Sequence, residues 1–330
     1  MIDLNFLKEF TEVPSVGTAC LPALGLLKRW FGSAWETTYV PDGFCIFLRA
    51  GADPGRLKAV FVAHVDEVGG CAYGPRAEGG FLTRTWGNRP AVFAAERLQA
   101  FDFLAASAAE AFPVTSEVVQ LRDEPRLALF GEGIRPYRTG WTFAQETSFS
   151  GDLITGKALD PRVTAYAVAE AVKALDTDEI GACFVMAEEC AMDVARKAVT
   201  WLTRNAPKLQ MVVNADVPWI ENIGEGQLDL PAIRIFEGQN FIDPLFGISV
   251  ADRLQSRGVE LHLSAARSGS QTILFTPLAS TLSIALPSDG VHLARVDMSI
   301  KGTERCIRLL EAIGEGALSG EFPQSPGALA

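Results

Sequence analysis

The chain contains three histidines, His64, His262 and His292. His64 closes the apolar run from Leu57 to Ala63 (LKAVFVA), and His292 lies in a polar loop after the run from Leu282 to Leu286 (LSIAL). Carboxylates follow three further apolar runs: Glu188 and Glu189 after Cys183 to Met186, Asp216 after Leu209 to Val213, and Asp160 after Leu153 to Leu159. Short continuous apolar segments suit strands in the interior of a sheet covered on both faces. In open α/β sheets, ligands bind beyond the carboxyl ends of the strands. If these strands are parallel neighbours, His64, Asp160, Glu188, Glu189, Asp216 and His292 converge on one rim. Two imidazoles with three or four carboxylates form a donor set for a pair of divalent ions such as Zn, Co or Mn. Adjacent acids beside a buried segment are costly without cations, and metal ions would remove that cost.

Asp160-Pro161 allows two readings. A carboxylate that bridges two ions needs a sharply turned backbone to aim it, and a cis peptide before proline is one way to make that turn. The plainer reading is a helix start, with Asp160 as N-cap and Pro161 as the first helical residue. Other residues carry less. His262 sits in an alternating stretch (ELHLS) and reads as structural, and Cys190 reads as packing beside a core strand. Gly224-Glu225-Gly226 marks a loop, and neither a dinucleotide or Walker pattern nor a nucleophile elbow occurs.

Elements able to position these residues alternate along the chain. The first 30 or so residues have helical spacing (Leu4, Leu7, Phe10, then Leu24, Leu27, Trp30, Phe31), interrupted by Pro14 and Pro22. Val163 to Leu175, Ala191 to Leu202 and Thr303 to Ile313 read as helices, and Phe44 to Leu48 as a strand. This alternation predicts an α/β fold with a mixed, mostly parallel sheet and helices on both faces. Residues 70–150 differ: they are glycine-rich, with short strands at Val118 to Leu121 and Leu127 to Phe130 and turns at Asp123-Glu124-Pro125 and Arg135-Pro136. They read as a small β-rich insertion with one helix over Glu96 to Ala111. The expected division is a catalytic domain over 1–69 and 151–320, an insertion over 70–150, and a flexible tail over 321–330, with fraying from Gly314 onward.

Composition narrows the function classes. The 330 residues are 48% hydrophobic and 21% charged with a net charge of -11, the profile of a folded acidic protein and a poor match to nucleic-acid binding. No uninterrupted apolar window reaches the ~18 residues of a membrane span. Met1 to Phe10 lacks the basic start and apolar block of a signal peptide. The six cysteines are scattered without a Cys-x-x-Cys pair and read as reduced thiols, so the expected location is the cytoplasm.

The motif His64-Val65-Asp66-Glu67-Val68-Gly69 resembles the His-x-Asp-Glu-hydrophobic-Gly signature of the tetrahedral (TET) aminopeptidases, glutamyl- and deblocking-type di-metal exopeptidases. Gly156-Lys157-Ala158-Leu159-Asp160, with Arg162, resembles that family's Gly-Lys-Ala-hydrophobic-Asp-Asp-Arg. Glu188-Glu189, Asp216-Val217, His292 and the opening LNFLKEFTEVP stand in matching order. The chain departs from the family at Pro161 (second Asp), at Cys190-Ala191 (Val-Gly), at Pro218-Trp219-Ile220, and at Gly269-Ser270-Gln271-Thr272, the nearest match to Gly-Thr-Asp-Ala.

The resemblance implies a di-zinc exopeptidase-like fold and an aminopeptidase acting on peptides with two divalent ions. Asp160 would bridge the ions, His64 and Asp216 would complete one site, and Glu189 and His292 the other. Asp66 would orient His64, and Glu188 would be general base and acid. The insertion would serve dimerisation and oligomerisation, giving a dimer-based homo-oligomer, up to a dodecamer. Two other functions fit the same scaffold: a deacylase of N-acyl amino acids, and an inactive binding or assembly relative.

Overall fold

The computed structural model describes residues 2–104, 111–218 and 227–322. The chain opens with α1 (Leu4–Glu12) and α2 (Leu21–Phe31). Asp3 caps α1 by accepting from the Asn5 and Phe6 amides, and Pro22 stands in the first turn of α2, where a missing N–H costs nothing. Pro22 therefore starts a helix and does not interrupt one. An antiparallel pair, β1 (Trp35–Val40) and β2 (Phe44–Arg49), leads to β3 (Ala59–His64).

The chain then leaves the sheet for a closed antiparallel barrel. Its strands are β4 (Gly69–Pro75), β5 (Phe81–Trp86), β6 (Leu98–Asp102), β7 (Phe112–Leu121), β8 (Glu124–Phe130) and β9 (Thr139–Phe143), in the order β4-β5-β8-β7-β6-β9. Its interior packs Phe93, Leu98, Leu127, Leu129, Trp141 and Phe143. The helix expected over Glu96 to Ala111 is not formed across Leu98–Asp102, which is β6, paired to both β7 and β9. Closing the barrel satisfies these backbone groups from both sides and overrides the helix-forming composition. The barrel's helix is α3 (Pro90–Ala94), and 105–110 lie outside the described residues. The first expected turn also shifts: Glu124 and Pro125 already belong to β8, and Arg122 takes the positive φ of 57°.

Beyond the barrel come β10 (Ser148–Ser150), β11 (Leu153–Gly156), α4 (Leu159–Leu175), β12 (Ile180–Val185), α5 (Glu188–Ala191), α6 (Ala195–Asn205) and β13 (Met211–Asp216). The last third holds β14 (Ala232–Glu237), β15 (Asn240–Phe241), α7 (Pro244–Ser256), β16 (His262–Ala266), β17 (Ser280–Ala285), β18 (Val296–Ser299) and α8 (Ile300–Ser319). Among the described residues the main sheet has nine strands, in the order β1-β2-β12-β3-β13-β17-β14-β15, with β16 on β14. The central four, β12, β3, β13 and β17, run parallel. In register, Val185 faces His64 and Asp216 faces Ala285, so their carboxyl ends share one rim.

Side-chain alternation splits these strands between two cores. Phe61, Val213, Phe184 and Ile284 face α1, α2, α4, α7 and α8, while Val60, Val62, Cys183 and Val212 face α6. Each fully buried Val, Leu or Phe contributes roughly 1.5–3 kcal/mol. This two-sided burial pins the register on which the rim depends.

The apolar run before Asp160 begins with β11, which pairs with β10 and β18 in a separate three-stranded sheet. One expectation needs correction here: fraying after Gly314 is absent, and α8 continues to Ser319, because Gly314 packs closely on Leu175 and Gly316 on Phe322. The loop at 224–226 and the tail beyond 322 lie outside the described residues. Among the described residues, no helix is long and apolar enough to cross a membrane.

Candidate metal centre

Three chain segments reach the rim through backbone that favours glycine, yet each uses another residue. Ala158 (φ 53°) precedes Leu159-Asp160, Ala187 (φ 66°) precedes Glu188, and His292 itself has φ 63°. Such conformations cost about 1–3 kcal/mol each and persist only where the surroundings over-determine them.

His64, 2% exposed, ends β3 with its Nε2 3.4 Å from Asp160 Oδ1 and 3.5 Å from Asp216 Oδ1. His292, 34% exposed, places its Nε2 3.6 Å from Asp160 Oδ2 and 3.2 Å from Glu189 Oε2. Asp160 thus directs one oxygen to each imidazole. Among the described residues, the two groups able to hold an ion are His64, Asp160 and Asp216, and Asp160, Glu189 and His292, each with donor atoms within 4.8 Å of one another. Asp160 follows both readings of its sequence in part. Its peptide to Pro161 is cis, and its extended backbone (φ -82°, ψ 115°) is that of an N-cap. Its carboxylate, however, accepts no hydrogen bond from the helix amides, and Oδ1 is buried without a hydrogen-bond partner.

The donor set fits metal ions on these observations. Among the described residues, no Lys or Arg pairs with Asp160, Glu188 or Glu189. Burial pushes the Asp160 carboxyl up to about 6, with Glu189 and Asp216 adding to the rise against the His64 contact. Burial opposes a charged His64, but the facing carboxylates of Asp160, Asp216 and Asp66 outweigh it and raise it well above the usual range. Burial likewise opposes a charged His292, yet Glu189 and then Asp160 lift it to about 10. Asp216 is held well below the carboxylate range despite burial, by His64 and Arg234. In the metal-free protein, protonated imidazoles therefore occupy the role of cations among clustered acids.

Each imidazole is oriented from behind. His64 Nδ1 lies 3.3 Å from Asp66 Oδ1, and His292 Nδ1 lies 2.8 Å from the Gly87 carbonyl oxygen. Partners of this kind fix the tautomer and leave Nε2 for an ion. Asp66 also accepts from the backbone N–H groups of Glu188 (2.9 Å) and Glu189 (3.1 Å), so one buried carboxylate sets both the histidine and the acid pair. The Glu188 carboxyl accepts no hydrogen bond from the described residues, and burial raises it well above its ordinary range, with Asp216, Glu189 and Asp66 contributing against His64. Raised acids of this kind are suited to proton transfer.

Sequence reasoning missed the layer beneath. Lys157 Nζ donates to both oxygens of Glu67 (2.7 and 2.8 Å), which also accepts from Thr142 Oγ1 (2.7 Å) and the Ser15 amide (3.1 Å). Arg162 donates to the carbonyls of Val65 (2.8 Å), Phe10 and Val13 and to Ser15, tying the opening helix to the end of β3. Arg234, 2% exposed, donates to Asp216 Oδ2 (3.1 Å) and Ser283 Oγ (2.9 Å) and lies 3.2 Å from Glu237 Oε1. Glu237, fully buried, also accepts from the Ser270 amide and hydroxyl, from Thr272 and from Ser283. Glu67, Lys157 and Arg162 stand in the two motifs of the sequence without a role read for them, and the signal for Arg234 and Glu237 was charge inside an otherwise apolar segment, AIRIFE. His262 lies on β16 away from both metal-holding groups. Cys190 is half-buried, its thiol directed at the Ala187 carbonyl.

No family model matches this chain, and no curated protein sequence does. Solved structures do. The TET1 peptidase of Pyrococcus horikoshii, described as assembling into a tetrahedron or a large octahedral shell, matches with a TM-score of 0.78 at 19% identity over 94% of this chain and 98% of its own. The fold is that of the TET aminopeptidases. A TET aminopeptidase from a marine sediment thaumarchaeon gives 0.79 at 15% identity over 94% and 95%. The aminopeptidase of Desulfurococcus kamchatkensis gives 0.79 at 16% over 99% and 96%. At such identities the shared property is the fold, and the chemistry rests on the side chains themselves.

Proposed function

We propose that the protein is a di-metal aminopeptidase that hydrolyses the N-terminal peptide bond of peptides. The observation that carries this reading is Asp160, which turns one carboxylate oxygen toward His64 and the other toward His292. Asp160 would be shared between two ions, His64 and Asp216 would complete one half-site, and Glu189 and His292 the other. Bound Zn, Co or Mn supplies Lewis acidity toward the scissile carbonyl and makes water a nucleophile near neutral pH. Glu188 takes the proton of the attacking water and returns it to the departing amine, the task its raised affinity for protons suits. Asp66 holds the His64 ring and the backbone of Glu188 and Glu189 in place for that exchange.

The likeness to structures named as TET aminopeptidases supports the same assignment. We also assign the catalytic unit to 1–69 and 151–320 and a dimerisation role to the barrel-bearing insertion at 70–150, in a cytoplasmic homo-oligomer. The test is a screen of aminoacyl reporter substrates, free and N-acetylated, with Zn, Co and Mn supplied separately to metal-stripped protein. Turnover of free-amine substrates that depends on added metal is expected. Hydrolysis restricted to N-acetylated substrates would make the protein a deacylase, and no turnover with either class would count against catalysis.

A further inference from the structure

The barrel reaches into the second half-site through two residues that follow β5, Gly87 and Asn88. The Gly87 carbonyl oxygen lies 2.8 Å from His292 Nδ1. The Asn88 amide Nδ2 donates to the His292 carbonyl oxygen at 2.8 Å, and its Oδ1 accepts from the Arg89 N–H at 2.8 Å, which fixes the amide's direction. His292 is thereby held at its ring and at its backbone by one dipeptide 204 to 205 positions away in the chain. That double hold falls on a non-glycine residue at φ 63°, a conformation that needs external support.

Gly87 is itself constrained. At φ 79°, a Cβ added to it would come within 2.2 Å of Val68 Cγ1 and 3.1 Å of Glu189 Oε2. The same residue that orients His292 thus lies against the other acid of the half-site, with no room for a side chain. The clamp is also braced at its root. Trp86, immediately before it, pairs with Gly69, three residues beyond Asp66, so the support behind His64 and the support behind His292 spring from neighbouring strands of the barrel.

We infer that Gly87 and Asn88 are positioning residues that build the Glu189–His292 half-site, so that the barrel contributes to metal binding and not only to assembly. The inference rests on the di-metal reading above. It assigns the clamp no contact with substrate. Its effect is to leave His292 with one tautomer and one backbone conformation. Supports of metal-bound histidines change affinity by roughly 10–100-fold when removed.

The test is calorimetric titration of full-length, metal-stripped protein with Co(II), together with melting of the metal-free form. Asn88→Leu keeps the side chain's bulk but has no donor, and Gly87→Ala adds the methyl group that the site excludes. Wild type is expected to take up two ions. Each variant should bind one ion as wild type does and the other roughly 10–100-fold more weakly, with Asn88→Leu melting like wild type in the metal-free form. Adding His64→Ala to Asn88→Leu should then remove the remaining tight ion. Where Gly87→Ala fails to fold, Asn88→Leu carries the test. Two ions bound by Asn88→Leu with wild-type affinities, equal weakening of both, or a lowered metal-free melting point with unchanged affinities would each overturn the inference. Wild-type protein that takes up no ion would instead overturn the di-metal reading beneath it.

Discussion

The two halves of the candidate centre are built by different means. His64 and Asp216 are the last residues of adjacent parallel strands, 2% and 14% exposed at their side chains, and each rests on a buried charged partner, Asp66 or Arg234. Glu189 and His292 lie beyond their strands, on a short helix and a loop, and His292 is 34% exposed with strained backbone. The first half inherits its geometry from the sheet ladder. The second shares Asp66 through the Glu189 amide, and its histidine depends on support brought from the barrel, a neutral carbonyl and an amide. Strand ends are pre-organised by the hydrogen bonds that make the sheet, whereas a loop ligand must be held from outside. Asp160 belongs to both halves and to neither scaffold, since it stands at the start of α4 beneath them.

The largest effect is expected at Glu188, to which we assign proton transfer for both halves and no place among the ligands. Glu188→Gln should lower turnover by roughly 10²–10⁴-fold while both ions stay bound. Elemental analysis and steady-state kinetics check this, and near-normal turnover would take the proton-transfer role away from Glu188. Asp160→Asn should reduce occupancy of both half-sites together. Retention of two ions by elemental analysis would show that the halves do not share that carboxylate.

Arg234 separates the halves by stability. Arg234→Met leaves Glu237 and Asp216 without their buried cation and should cost about 3–5 kcal/mol in urea unfolding of the metal-free protein. Adding Glu237→Gln should recover part of that loss. An Arg234→Met protein as stable as wild type would mean that the strand-end half has no such charged foundation.

Proton linkage gives a smaller effect. With His292 raised to about 10 and His64 raised in the same direction, both imidazoles carry protons at neutral pH in the metal-free protein and must shed them to ligate. Metal uptake should therefore release protons and tighten as pH rises, with a steeper slope below about 6, where Asp160 is protonated as well. Titration calorimetry in buffers of different ionisation enthalpy reads this, and uptake without proton release would refute it. The smallest effect is on the metal-free fold. The folded-state value of His292 lies above its ordinary 6.5, so its ion pairs stabilise fully below 6.5 and are lost as pH rises toward 10. The raised Asp160 has the same sign, because the folded form again binds the proton more tightly. Metal-free protein should melt lower at pH 9 than at pH 6.5, and His292→Gln should flatten that slope. An unchanged slope in that variant would free His292 from the ion pairs seen here.

Much of the rim could be read from one dimension. Apolar runs ending in His64, Glu188-Glu189 and Asp216 mark buried strands with the candidate site residues at or just beyond their ends, since two-sided burial demands continuous apolar residues and polar groups gather only where the strand stops. Where a segment's outcome depended on a distant partner, local reading failed. Leu98–Asp102 is rich in helix formers but is a strand, because β7 and β9 offer it hydrogen bonds on both sides. The apolar run before Asp160 carries no mark of its partners, and its first residues, Leu153–Gly156, join β10 and β18. Lys157 meets Glu67 across 90 positions, and Asn88 meets His292 across 204.

The sequence by itself determined which residue types could bind ions, the order in which they arrive, and the alternating strand and helix plan that brings strand ends together. Periodicity and local composition are properties of neighbours along the chain, so they are legible there. Tertiary structure alone decided that Asp160 faces both histidines, that Arg234 underlies Asp216, and that a barrel loop grips His292. Those contacts arise where separately folded segments close on one another, and the geometry of that closure is set by packing and by the need to satisfy buried polar groups.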